Sequence, residues 1–318
     1  MTGIMTSPSI GPDELDDLTV AIHQSRTRRK LPLGLWFGIG WLAIATFHAY
    51  FASRLPWVRG ENQRVEGAGR YRMAPSADFW FGSDKLGKDV FARCVYGAKL
   101  SITLATVSIA VGLVIGGSMG MIAGYFKGKV DRVLSIVIDA LLAFPALVVA
   151  ALLIGRFDVL QASDIQIAGF GFEWLTRRWS IAIVFSLLSI APVARIVRAQ
   201  TLSLSEREFV MAARSLGART PRILFREVLP NLVPAMVSVL FTGIAILLAA
   251  EGALAFLGYS IKAPDASWGL MINEARVDID KYWWATIMPA VMLFMTVLAF
   301  NLIGDRVAKH FDIREAAI

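Results

Sequence analysis

The sequence predicts an all-α membrane protein with six membrane-spanning helices. Three observations carry that expectation. Of 318 residues, 56% are hydrophobic, and the mean hydropathy is +0.59, higher than an ordinary soluble domain shows. Six apolar runs approach the ~20 residues that a helix needs to cross the hydrocarbon core. A spanning backbone must satisfy its own hydrogen bonds, so helix is the assignment for each run. The runs fall at 31–53, 101–124, 133–155, 180–197, 232–257 and 284–305.

Residues 1–30 precede the first run as a polar tail. An acidic patch (Asp13, Glu14, Asp16, Asp17) gives way to a basic one (Arg26, Arg28, Arg29, Lys30). The first run is too long for a signal-peptide core and has no clear small-residue cleavage site, so it reads as an uncleaved anchor. The basic patch directly before it favours a cytoplasmic N-terminus, and six spans return the C-terminus to the same side. The short 125–132 loop (Lys127, Lys129, Arg132) then falls inside. So does the segment Ser203–Asn231 with its five arginines. The long 54–100 loop falls outside although it too is basic, so the short loops and the anchor decide the orientation. A net charge of +7 suits basic loops facing anionic lipid, and no nucleic-acid module accompanies it. The single cysteine, Cys94, excludes an internal disulfide framework. His23, His48 and His310 lie far apart without ligand spacing, so no metal site is expected.

The second run carries Gly112, Gly116, Gly120 and Gly124, one every fourth residue. At that spacing they form one smooth stripe, which lets another helix approach closely. Internal packing is the expected use, with a subunit interface as the alternative.

Between the fourth and fifth runs lies "SLSEREFVMAARSLGARTPRILFREVLPN", charged throughout. Ser205 and Glu208 have the spacing of a capping box that starts a helix. Phe209, Ala212, Ala213 and Leu216 follow on one apolar face. Gly217 is a C-terminal stop, and Thr220–Pro221 restarts a helix. Pro230 and Pro234 are expected to interrupt the chain as it returns to the membrane. The result is two short helices joined by a glycine elbow. Two uses stay open on physical grounds: a helix resting on the bilayer surface, or a docking helix whose alanines allow a close partner.

Several residues in or near the runs are ionisable or polar, and such groups are costly in lipid. Asp139 could pair with Arg195 as a structural ion pair or touch the transported molecule. Glu251 could hold the end of the fifth span or serve an outer gate. Asn301 and Asp305 fit helix-end hydrogen bonding, with Asn301 also a translocation candidate. Trp268, Trp283 and Trp284 suit an interfacial aromatic belt, and Trp268 is a candidate contact for an external protein.

The charged segment resembles the cytoplasmic loop of ABC-importer permeases, E-A-A, three residues, G, nine residues, I-x-L-P. Ala212, Ala213, Gly217, Leu229 and Pro230 fall in register. Met211 replaces the leading glutamate and Glu227 the isoleucine, while Glu208 lies one turn before the departed carboxylate. Three further stretches resemble the second permease of dipeptide and oligopeptide importers. These are "FGSDKLGKDVFARCVYGAKLSI" (Phe81–Ile102), "AEGALAFLGYSIKAPDASWG" (Ala250–Gly269), and Trp283–Trp284 with "LAFNLIGD" (Leu298–Asp305). Ser83, Lys88, Gly252 and Ala255 depart mildly from that branch.

The resemblance spans roughly residues 80–312 and implies the type I ABC-importer permease architecture. It divides the chain into a tail (1–30), a first helix with the start of an external loop (31–79), a permease core (80–312) and a C-terminal tail (313–318). It implies a bacterial cytoplasmic membrane location and a pathway shared with a second, homologous permease. An external substrate-binding protein would deliver peptide. Two ATP-binding subunits, which bind the ATP and Mg, would dock on Glu208, Phe209, Ala212, Ala213, Leu216, Gly217, Leu229 and Pro230. The chain has no G-x-x-x-x-G-K-[ST] loop, so it is expected to bind no cofactor and to be no ATPase itself. Nickel chelates or glutathione are alternative cargoes. A stand-alone secondary transporter would call for internal repeats and broken helices, and an intramembrane enzyme for a catalytic constellation. Neither is clear in the sequence.

Overall fold

The computed structural model describes residues 33–64, 71–162 and 176–315, with side chains up to Lys309. The basic patch before the first span and most of the expected 156–179 loop lie outside those residues. Among the described residues the chain is helical, with no strand. We number its helices α1 (Leu33–Phe51), α2 (Val90–Phe126), α3 (Gly128–Leu142), α4 (Ala146–Ala162), α5 (Arg177–Leu204), α6 (Glu208–Ser215), α7 (Thr220–Phe256), α8 (Trp268–Ala275) and α9 (Trp284–Glu315). The helix of α9 runs on through 313–315, where a tail is expected from sequence.

Five helices, α1, α2, α5, α7 and α9, are long and apolar enough to cross a membrane. The expected third span is broken instead. α3 and α4 meet at an 81° bend. Pro145 explains it: the residue before a proline leaves the helical region, and the proline cannot donate to the preceding turn. Contacts at the two ends show that the pair still makes one crossing. Asp131, near the start of α3, meets Arg198 near the end of α5, while Asp158 of α4 meets Arg177 at the start of α5. With that pair taken as one, the described residues hold six candidate crossings, alternating in direction along the chain.

α2 is far longer than the apolar run that announces it. Its first turns, Val90–Leu100, are amphipathic and pack inside a polar cap. Asp89 caps the helix by accepting from the Phe91 N–H at 2.9 Å. Asp84 holds the preceding loop through the N–H groups of Leu86 and Lys88. The Phe81–Ile102 stretch is thus the cap and first turns of a long helix.

The core is organised by α2 lying along α5. The glycine stripe makes this possible. A Cβ on Gly112 would stand 2.5 Å from Ser189 Cβ, on Gly116 2.4 Å from Ile190 O, on Gly120 2.4 Å from Ala194 O, and on Gly124 2.7 Å from Arg198 O. The stripe is used for internal packing. Ser108 Oγ adds a bond to Ala182 O at 3.1 Å. α7 and α9 pack together, α1 lies on α9, and α8 wedges between α7 and α9.

α7 passes its prolines without interruption, against the sequence expectation. Pro230 has no N–H to donate. Just before it the ladder widens into a π turn over Leu224–Val228, where the Leu229 N–H reaches Leu224 O. Pro234 is likewise accommodated inside the helix.

Candidate functional site

α5 continues to Leu204, about two turns past its apolar run, and delivers the chain to α6. Ser205 belongs to this junction: its Oγ donates to Leu202 O at 2.8 Å, and its own N–H bonds back to Thr201 O. The expected capping box therefore does not form. Arg207 occupies the N-cap of α6 with no side-chain cap, because Ser205 is already spent closing α5. Glu208 starts α6, where a carboxylate favours the helix dipole.

α6 is anchored in the core by one fully buried side chain. Val210 is fully buried and joins the main core, with Ala213 and Ala218 packed against it. Phe209, Ala212 and Leu216 instead line the open surface, with Leu216 88% exposed. Met211 is exposed beside them, one turn after Glu208 on the same side of the helix. Arg214 lies with its guanidinium 5.5 Å from the centre of the Tyr125 ring, tying α6 to the end of α2.

Gly217 ends α6 in the left-handed region at φ +76. Its N–H bonds to Arg214 O at 3.0 Å, and the Ala218 N–H to Ala213 O at 3.1 Å. That pair of bonds is a Schellman closure, and it fixes the elbow between α6 and α7. Leu229 is half-buried and Pro230 exposed at the far side of the π turn.

A ladder of ion pairs supports this end. Lys127 Nζ meets Glu206 Oε1 at 2.7 Å and holds that carboxyl below the usual carboxylate range. Arg198 grips Asp131 with two donors, one of them 2.7 Å from Oδ2. Deeper along α3, Arg195 Nη2 meets Asp139 Oδ1 at 2.6 Å, the ion pair expected from the sequence. Sequence reasoning missed Val210 and the first two pairs. Charges flanking apolar runs at matching depths were the signal available for those pairs.

The remaining candidates lie elsewhere. Glu251 is buried at the opposite end of α7, accepting from Ser260 Oγ and from Ser267 Oγ at 2.7 Å. Ser267 also accepts from the Leu270 N–H as the cap of α8, so Glu251 ties the end of α7 to the start of α8. Asn301 spends its amide inside α9, on Val297 O at 3.0 Å. Trp268 corrects the sequence reading. Its indole is fully buried and donates to Cys94 O at 3.0 Å, so it belongs to the core and offers no surface to an external protein or a lipid interface. Trp284 is also buried, while Trp283 is 48% exposed and keeps the interfacial reading.

Comparison with known proteins bears on the family and the fold. The chain is 34% identical over 243 residues to the glutathione transport system permease protein GsiD of Pectobacterium atrosepticum, covering 76% of this chain and 75% of that protein. It is 32% identical over 317 residues to the dipeptide transport system permease protein DppC of Alkalihalophilus pseudofirmus, covering 97% and 96%. A structure of inward facing conformations of the MetNI methionine ABC transporter shares the fold, with a TM-score of 0.55 at 17% identity over 69% of this chain and 96% of that one. Residues 116–316 match the family described as binding-protein-dependent transport system inner membrane component. The chain belongs to that family and is a multi-pass permease of an ABC importer.

Proposed function

We propose that this chain is one of two permeases in an ATP-driven peptide importer. It forms the pathway with a homologous permease and receives its energy through α6. Two ATP-binding subunits bind and hydrolyse the ATP with Mg, and the chain itself carries out no chemistry. An external binding protein delivers the cargo at the α8 end. The α6 end, which also holds the start of α1 and the end of α9, faces the cytoplasm of a bacterial cell.

The observation that carries this reading is α6. It is fixed by Val210 and the Gly217 elbow, yet turns Phe209, Ala212 and Leu216 outward. An isolated apolar line on a charged segment needs a partner to cover it. A lever needs the same two properties, a rigid mount and an open contact face. The dipeptide permease that matches almost the whole chain supports a peptide cargo. The glutathione permeases keep a γ-linked tripeptide as the second reading.

The test is purification after mild solubilisation, followed by reconstitution. Stoichiometric recovery of a second permease and two ATP-binding subunits, with peptide uptake that depends on ATP and on the binding protein, is expected. Uptake by the isolated chain without ATP would overturn the reading.

A further inference from the structure

We propose that Asp139 and Arg195 form a water-exposed station in the transport pathway, which reads the two charged ends of a zwitterionic peptide. The α-carboxylate takes Arg195 and the α-ammonium takes Asp139, each displacing the other member of the internal pair. The inference rests on the peptide-importer reading and names a binding site within it.

The first observation is exposure at depth. Asp139 lies eleven residues into α3, about 17 Å along that helix. Its side chain is 65% exposed and that of Arg195 58%. Two open charges at that depth cannot rest against lipid tails without a cost of several kcal/mol. They belong where water reaches.

The second observation is the contrast with the neighbouring pair. Arg198 and Asp131 are only partly exposed and joined by two hydrogen bonds, the geometry of a strut. Arg195 and Asp139 share a single bond. Among the described residues, Asp139 Oδ2 and Arg195 Nε and Nη1 have no other protein partner. These free donors and acceptors match those of peptide termini.

The third observation is what lies beside them. At the α3–α4 bend a cavity of about 420 Å³ is lined by apolar side chains, including Ile136, Ala140 and Phe144 on one wall and Ala191 and Pro192 on the other. Ala140 follows Asp139, and Ala191 stands one turn from Arg195 on the same face of α5. The lining is wholly apolar, and the charged pair stands next to it in sequence without forming part of it. Here it would take peptide side chains, while the pair holds the ends.

The experiment uses the complete complex, in lipid nanodiscs for labelling and in proteoliposomes for uptake, with dialanine as probe and its N-acetylated, C-amidated form as control. Arg195→Cys and, separately, Ala140→Cys are labelled with a membrane-impermeant methanethiosulfonate. Native Cys94 is fully buried and gives little background. Both cysteines are expected to react. Dialanine is expected to slow labelling of Ala140→Cys, which keeps the pair, by about tenfold, while the blocked peptide does not. Arg195→Gln and Asp139→Asn should assemble normally and lose uptake by a similar factor. Should Arg195→Cys fail to assemble, Ala140→Cys decides alone. Absence of labelling means that lipid or the second permease covers this face, and overturns the proposal. So does labelling that dialanine leaves unchanged. A wild-type complex that imports neither dialanine nor glutathione would sink the peptide-importer reading instead.

Discussion

At the scale of single residues, Gly217 is the position where backbone conformation carries the proposed function. Its φ of +76 is the left-handed region, and a Cβ added there would meet nothing within 4 Å. A substitution therefore costs backbone strain only, about 1–2 kcal/mol for an L residue. Gly217→Val should leave the protein in the membrane and the complex assembled, while uptake falls relative to ATP hydrolysis. Gly217→Asn, which tolerates this region, should keep most of the coupling. Parallel ATPase and uptake measurements on the reconstituted complex check both, and normal uptake by the valine variant would sink the elbow argument. Trp268 gives the opposite kind of prediction. Trp268→Ala removes a fully buried indole and its bond to Cys94 O, which should cost about 3–5 kcal/mol. The variant should lose thermal stability in detergent, with the affinity of surviving complexes for the binding protein unchanged. Gly217 was legible from sequence because a glycine after a helical pattern has few other uses. Trp268 was not, because an indole near a span end suits an interface and a core equally well. Its hydrogen bond to a residue 174 positions away decides the matter.

At the scale of elements, the glycine stripe and the α3–α4 bend show what a pattern reveals. Four glycines at a spacing of four predict close packing without naming the partner, and the structure supplies α5. Gly120→Val should force α2 and α5 apart. Its Cβ would stand 2.4 Å from Ala194 O and 2.8 Å from Arg198 N, backbone atoms that cannot rotate away. The cost should exceed the ~1–3 kcal/mol of an ordinary overpacked core. Low yield and a loss of the folded peak on size exclusion are the expected results, with Gly243→Ala, which meets the movable Ile109 side chain, affected less. The bend was signalled by Pro145, but hydropathy runs straight through it, so 133–155 reads as one span. The capping box failed for a related reason. Local spacing marks Ser205 as a helix start, while the preceding helix, extended by its packing on α2, had already claimed it. The turns Val90–Leu100 escaped because Arg93 and Lys99 interrupt their apolar character. Arg93 is buried only through its pairing with Asp84 and Glu274, contacts that no local window shows.

At the scale of the whole molecule, the six crossings divide the chain between two faces, and side-chain contacts fix which segments share a face. Gly34 near the start of α1 lies beside Leu302 of α9, so the start of α1 and the end of α9 are on one side. Parallel packing of α2 on α5 brings Phe126 and α6 to that side too, as the Arg214–Tyr125 contact confirms. The loop after α8 lies on the other. Sequence charge suggested the same arrangement through the short loops and the first anchor, since the basic residues of the 54–100 loop argue against it. The physical reason is now visible. Arg59, Lys88 and Arg93 of that loop and of the turns beyond it are engaged by Asp89, Asn62, Asp84 and Glu274, so much of its positive charge is used internally. Burial moreover lowers the Lys88 ammonium from its ordinary value. Leu216→Cys and Val277→Cys test the division, since these side chains are 88% and 83% exposed and carry no structural load. In inside-out vesicles an impermeant thiol reagent should label Leu216→Cys and spare Val277→Cys, and in right-side-out vesicles the reverse. Added ATP-binding subunits should then shield Leu216→Cys while leaving Val277→Cys untouched, because the proposed lever and the cargo side are separated by the full thickness of the bilayer. Labelling of both from one side would remove the six-crossing arrangement, and an unshielded Leu216→Cys would remove the lever.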